Sequence, residues 1–142
     1  MDGERVLLID DEEEFTSALS ERMETRGLKV DTAASGEQAL QVDASSYDAV
    51  VLDMAMPGMD GIETMKKLLE KNPNLQVIFL TGHGTVQKGV EAVKLGALDF
   101  LEKPVKMEVL LEKIKEAKTN KVMLVEQESA ERMKEILGKM GW

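Results

Sequence analysis

The sequence contains no cysteine, a single histidine (His83) and three prolines. Without thiols there can be no disulfide, thiolate zinc site or thiol nucleophile, and one imidazole cannot build a multi-histidine centre. Any metal ion held here must be a hard one, bound by oxygen. No run of about 18 apolar residues is present, and Met1 is followed by Asp2, Gly3 and Glu4 instead of the basic start and apolar stretch of a secretory signal. The expectation is a cytoplasmic chain with no membrane insertion. Basic side chains are in deficit, 18 against 27 acidic, for a formal net charge of −9. Phosphate-driven nucleic-acid binding needs a Lys and Arg cluster that this sequence lacks, so no direct nucleic-acid contact is expected. Residues 119–142 carry four charges of each sign, so the acidity belongs entirely to residues 1–118. A length of 142 residues allows one domain with little to spare.

What is present is a regular alternation. Short apolar runs bounded by polar turns recur at Val6–Ile9, Leu28–Ala33, Ala49–Leu52, Val77–Leu80 and Ala97–Leu101, each of strand length. Between them lie residues at helical spacing: Phe15, Leu19 and Met23; Ala39 and Val42; Met65, Leu68 and Leu69; Val86, Val90, Val93 and Leu95. A last stripe, Met107, Leu110, Leu111, Ile114 and Ala117, follows the fifth strand. The first, third and fourth runs are unbroken apolar stretches, as in strands buried on both faces of a parallel sheet, whereas Leu28–Ala33 alternates and suits an edge. Right-handed crossovers then predict an α/β, doubly wound, five-stranded parallel sheet of (βα)5 type, and the order 2-1-3-4-5 fits five strands. Of the ten methionines, Met23, Met65 and Met107 fall on core stripes, while Met54, Met56 and Met59 line the loop after Asp53.

Ligand chemistry in such a sheet sits at the carboxyl ends of the strands. The residues there are Asp10 and Asp11 after strand one, Asp53 closing strand three, Thr81 closing strand four and Lys103 after strand five. Singly, an acidic residue is an N-cap, Thr81 a turn residue and Lys103 a surface lysine. Convergence of four chain-distant positions on one rim carries the reading. Three carboxylates crowded together repel unless a cation is present, and oxygen donors in an open site favour Mg²⁺. Lys103 then neutralises a phosphoryl oxygen and the Thr81 hydroxyl donates to another. Asp53, alone at the end of a buried strand, is the better nucleophile for an aspartyl phosphate, leaving Asp10 and Asp11 to share the metal. Gly58, Gly61, Gly82, Gly84 and Gly96 make no phosphate-binding glycine loop, so nucleotide binding is set aside.

These residues resemble the receiver domain of two-component response regulators, over about residues 4–118. The matching pieces are Leu8-Ile9-Asp10-Asp11-Glu12, Asp53-Met54-Ala55-Met56-Pro57-Gly58-Met59-Asp60-Gly61, Leu80-Thr81-Gly82, and Gly96-Ala97-Leu98-Asp99-Phe100-Leu101-Glu102-Lys103-Pro104. The resemblance implies a flavodoxin-like receiver fold and a phosphoryl group accepted on Asp53 from a sensor histidine kinase or a phosphotransfer protein. It implies Mg²⁺ among Asp10, Asp11, Asp53 and the Ala55 backbone carbonyl, with Lys103 contacting the phosphoryl group. It further implies a switch in which the Thr81 hydroxyl moves to the phosphoryl group and Phe100 swings inward, repacking the face of the fourth helix, fifth strand and fifth helix for a downstream protein partner. The Lys103-Pro104 peptide is expected to be cis. His83, two residues beyond Thr81, and Ala55, two beyond Asp53, are expected to govern water access to the phosphoryl group.

The tail carries Val122, Val125, Met133, Ile136, Leu137 and Met140 at helical spacing, and Thr119 or Asn120 could cap a new helix or interrupt a long one. The chain thus divides into a receiver, 1–118, and a C-terminal helical extension, 119–142. That extension either folds on its own domain or pairs with a second copy as a homodimer, with Trp142 as an anchor. The expectation is a stand-alone phosphorylation-activated signalling protein and not a turnover enzyme. The alternatives are the N-terminal regulatory fragment of a longer transcriptional activator, a Mg-dependent phosphohydrolase with an aspartyl-phosphate intermediate, and a binding module whose carboxylates never react. The turn Leu80-Thr81-Gly82-His83-Gly84 and the stretch Gly89-Val90-Glu91-Ala92-Val93-Lys94-Leu95-Gly96-Ala97 resemble receivers of sigma-54 activators. The phosphohydrolase would need a general-base Asp at position 55, where Ala55 stands.

Overall fold

The computed structural model describes residues 3–82 and 86–141. His83, Gly84 and Trp142, expected from the sequence to serve as loop and anchor residues, lie outside the described residues. Five parallel strands, β1 (Arg5–Ile9), β2 (Lys29–Ala33), β3 (Ala49–Asp53), β4 (Val77–Thr81) and β5 (Asp99–Glu102), form one sheet of order β2-β1-β3-β4-β5. Helices α1 (Glu13–Glu24), α2 (Gly36–Ala39), α3 (Gly61–Lys71), α4 (Val86–Lys94) and α5 (Met107–Lys139) cover its faces. This is the doubly wound arrangement the alternation predicted.

Because successive strand residues face opposite sides, β1, β3 and β4 feed two cores at once. Leu7, Ile9, Val50, Leu52, Val77 and Phe79 meet Met65 and Leu68 of α3 and Ala92 of α4. On the other face Val6, Leu8, Val51, Ile78 and Leu80 meet Leu19 and Met23 of α1 and Met107, Leu110, Ile114 and Ala117 of α5. Burial of β3 and β4 is complete along their lengths, which explains their unbroken apolar sequences. β2 is the mostly exposed edge strand, as its alternation suggested. Met54 and Met56 in the loop after β3 are buried with the first core.

Three elements depart from the spacing argument. Around Ala39 and Val42 the helix is one turn, Gly36–Ala39, capped by the Ser35 hydroxyl accepting from the Gln38 amide; Val42 is exposed and a 3-10 turn, Ala44–Ser46, follows. β5 begins at Asp99 and not Ala97, because the Ala97 amide still donates to the Ala92 carbonyl in the turn that ends α4. In α4 the stripe Val86, Val90 and Val93 faces outward at 40–44% exposure, while Gly89 and Ala92 are the residues buried against the sheet.

α5 runs unbroken through Thr119 and Asn120, and the Thr119 hydroxyl donates to the Lys115 carbonyl within the helix. Its first turns pack on the sheet. Further on, polar contacts hold it to the amino-terminal edge of the strands. Lys121 Nζ donates to the backbone carbonyls of Ser45 (2.7 Å) and Tyr47 (2.6 Å), and Asn74 Nδ2 donates to Glu128 Oε1 at 2.9 Å.

Candidate functional site

Parallel strands deliver their carboxyl ends to one rim, and pairing fixes the depth at which each chain emerges. Asp10 leaves β1 with its amide bonded to the Ala33 carbonyl, and its Oδ1 accepts from the Glu12 amide at 2.9 Å. Asp53 is the last residue of β3, and the next amide, that of Met54, donates to the Leu80 carbonyl on β4. The start of α3 presses on the same place. A Cβ on Gly61 would lie 2.6 Å from the Asp53 carbonyl oxygen and 2.8 Å from the Phe79 ring, so only a bare Cα lets the helix approach this strand end.

Asp10 and Asp53 are both buried, at 2% and 5% exposure, and Asp11 beside them is open to solvent. One carboxylate oxygen from each of Asp10, Asp11 and Asp53 lies within 4.8 Å of the others. Into this cluster reaches Lys103, whose Nζ donates to Asp10 Oδ2 at 3.1 Å and sits 3.5 Å from both Asp53 Oδ1 and Glu12 Oε1. The same ammonium stands 4.2 Å above the ring centroid of Phe15 on α1. The Lys103-Pro104 peptide is cis, as expected.

Electrostatics follow from that packing. Burial first, and then the negative charge of Asp10, push the Asp53 carboxyl up to about 6, against the opposing pull of Lys103 and of the Ala55 amide that hydrogen-bonds it. Burial pulls the Lys103 ammonium down, but the Asp10 hydrogen bond and the charges of Asp53, Asp10 and Glu12 outweigh it and leave the group above its ordinary value. One lysine cannot balance this many acids. An all-oxygen donor set with surplus negative charge and an open side at Asp11 fits a hard divalent cation.

The structure therefore brings Asp10, Asp11, Asp53 and Lys103 together, with Ala55 in contact through its amide. Thr81 closes β4 on the same rim, but its buried hydroxyl is turned to the Leu101 carbonyl of β5 at 3.4 Å, and its own carbonyl accepts from the Lys103 amide. Phe100 lies outside the carboxylate cluster, opposite Phe79 in the β4–β5 register and half-buried in the first core. Sequence reasoning missed Glu12 and Phe15 as partners of Lys103. Phe15 carried a signal, its place on the α1 stripe, but that stripe also reads as plain core.

The sequence matches the family model described as "Response regulator receiver domain" over residues 6–115. It is 40% identical over 114 residues to the C4-dicarboxylate transport transcriptional regulatory protein DctD of Pseudomonas aeruginosa, covering 80% of this chain and 25% of that protein. It is 42% identical over 100 residues to the transcriptional regulatory protein CpxR of Escherichia coli, covering 70% and 43% respectively. The chain thus spans about a quarter to a half of these relatives' length. Among solved structures, a response regulator receiver domain protein from Clostridium thermocellum superposes with a TM-score of 0.82 at 33% identity, covering 86% of this chain and 99% of that one.

Proposed function

The chain belongs to the response regulator receiver family, and from that membership we propose that Asp53 is its phosphoryl acceptor in a histidine-to-aspartate relay. The observation that carries the proposal is the gathering of Asp10, Asp11 and Asp53 around the Lys103 ammonium on one rim. A carboxylate oxygen of Asp53 attacks the phosphorus of a phosphohistidine on a sensor kinase or phosphotransfer protein. The new O–P bond forms as the P–N bond breaks, and the electron pair leaves with the imidazole nitrogen. With its carboxyl near 6, Asp53 is mostly ionised at neutral pH and available for attack.

Asp10, Asp11, Asp53 and the Ala55 carbonyl would hold Mg²⁺, which when bound supplies positive charge to the incoming phosphoryl oxygens. Lys103 releases Asp53 and turns to a phosphoryl oxygen, a shift that needs little movement because its nitrogen already lies 3.5 Å from the acceptor carboxylate. Thr81 gives up the long hydrogen bond to Leu101 for a stronger acceptor, and Phe100, next to Leu101, repacks. The result is a signal, not turnover, since the methyl of Ala55 offers no general base where a phosphohydrolase needs one. For a downstream protein, the face of α4, β5 and α5 presents Val86, Val90, Val93 and Val109 to solvent. We place the receiver unit at residues 1–118 and the extension at 119–142, whose exposed Val122, Val125, Met133, Ile136 and Met140 suit pairing with a second copy.

Incubation with acetyl phosphate and Mg²⁺, followed by intact-mass measurement, tests the acceptor. A phosphoryl adduct is expected on the wild-type chain and none on Asp53→Asn. Full labelling of Asp53→Asn would show that the acceptor lies elsewhere.

A further inference from the structure

α4 docks on the sheet with very little side chain. The residues it buries are Gly89 and Ala92. The ring that fills the space beneath it comes instead from β5: Phe100 packs into the core that includes Ala92, Ala97 and Phe79. A Cβ built on Gly89 would lie 2.5 Å from Cδ2 and Cγ of Phe100 and 2.9 Å from Cδ1. Carbon atoms in contact need about 3.5–4.0 Å, so the helix backbone itself rests on the ring. Glycine inside a helix is intrinsically unfavourable, and this ring contact is what the missing side chain provides. The ring is also wired to the site. Phe100 precedes Leu101, whose carbonyl accepts the Thr81 hydroxyl.

We propose that Gly89 is the positioning residue for Phe100: its bare Cα forms the seat of the ring and lets the ring enter or leave that seat without displacing α4. The proposal rests on the reading that phosphorylation repacks Phe100. A methyl at residue 89 evicts the ring, so the α4–β5 face of Gly89→Ala holds one arrangement whatever the state of Asp53.

The test uses the full chain with 4-fluorophenylalanine at its three phenylalanines, Phe15, Phe79 and Phe100, the Phe100 resonance being identified by its loss in Phe100→Leu. In the wild-type chain this resonance moves on addition of Mg²⁺ and beryllofluoride. In Gly89→Ala it is displaced beforehand and moves less than half as far. A double-mutant cycle reads the seat without any phosphoryl mimic. Gly89→Ala lowers the denaturation midpoint of the wild-type chain but raises that of Phe100→Ala, where helix propensity alone is worth about fivefold in the unfolding equilibrium. Should Gly89→Ala not fold, the Gly89→Ala/Phe100→Ala chain does, because the overlap is gone. Equal losses in both backgrounds, an unfolded double variant, or an undisplaced Phe100 resonance in Gly89→Ala would overturn the seat. A wild-type resonance that ignores beryllofluoride would instead overturn the switch and the gating built on it, so the two failures are told apart.

Discussion

Asp53 is held in surroundings that oppose its own charge, and this has a measurable consequence. Its carboxyl is raised to about 6 in the folded chain from 3.8, so between those values the folded state binds the proton that the unfolded state has lost. Stability contributed by this group is therefore present below about pH 4 and is lost as pH rises to about 6. In chelator, the stability gain of Asp53→Asn over wild type should grow across that window and level off at about 3 kcal/mol. Urea denaturation of both chains from pH 4 to 7.5 checks it, and a difference independent of pH would contradict the buried charge. Lys103 is the counterpart. Because Mg²⁺ can replace the Lys103 ammonium as the positive charge among Asp10, Asp11 and Asp53, Lys103→Ala should keep Mg²⁺ binding by calorimetry. It should nonetheless lose the beryllofluoride-induced change in the amide spectrum of α4 and β5, since no side-chain ammonium remains to link the phosphoryl group to β5.

At the scale of elements, β1, β3 and β4 were legible because burial on both faces leaves an unmistakable apolar run, and strand ends then located Asp10, Asp53, Thr81 and Lys103. α4 was legible as a helix but not as to which side faces inward. Its valines look like a core stripe, yet the inner face is set by Phe100 from another element, and no periodicity within α4 encodes that. The short α2 was overestimated for a related reason: Val42 has the spacing of a core residue, yet the helix ends before it and leaves it exposed. For α5, sequence left open whether the helix breaks at Thr119 or Asn120. The answer lies in long-range contacts, above all Lys121 on the carbonyls of Ser45 and Tyr47. Burial at this contact pulls the Lys121 ammonium below its ordinary value, against the weaker pull of Asp48 and Asp43, so its hydrogen bonds to the two carbonyls are what hold it there. Lys121→Met should speed amide hydrogen exchange in residues 119–130 by roughly fivefold for each 1 kcal/mol of anchoring lost, leaving β3 and β4 unchanged. Equal protection in both chains would show that the helix needs no anchor.

For the whole molecule, the balance of charge ties fold to ligand. The chain is acidic overall, and its buried acids converge at one rim, so a divalent cation bound there would act as a folding ligand. At tenfold excess over its dissociation constant, Mg²⁺ should add about 1.4 kcal/mol of stability and raise the melting temperature by roughly 4 °C, reversed by chelator. Asp10→Asn should abolish the shift; its persistence would place the cation elsewhere.

α5 has one further consequence, which is mechanical. It starts just past Lys103 at the rim of the carboxylate cluster, packs on the sheet as far as Ala117, is tied to the loops before β3 and β4 through Lys121 and Glu128, and ends at Lys139. At 1.5 Å per residue, the stretch from Glu128 to Lys139, beyond the last of these contacts, is a rod of about 16 Å. A five-degree change in how the anchored turns lie would sweep its tip through about 1.4 Å, so a sub-ångström adjustment near the rim arrives at the far end enlarged.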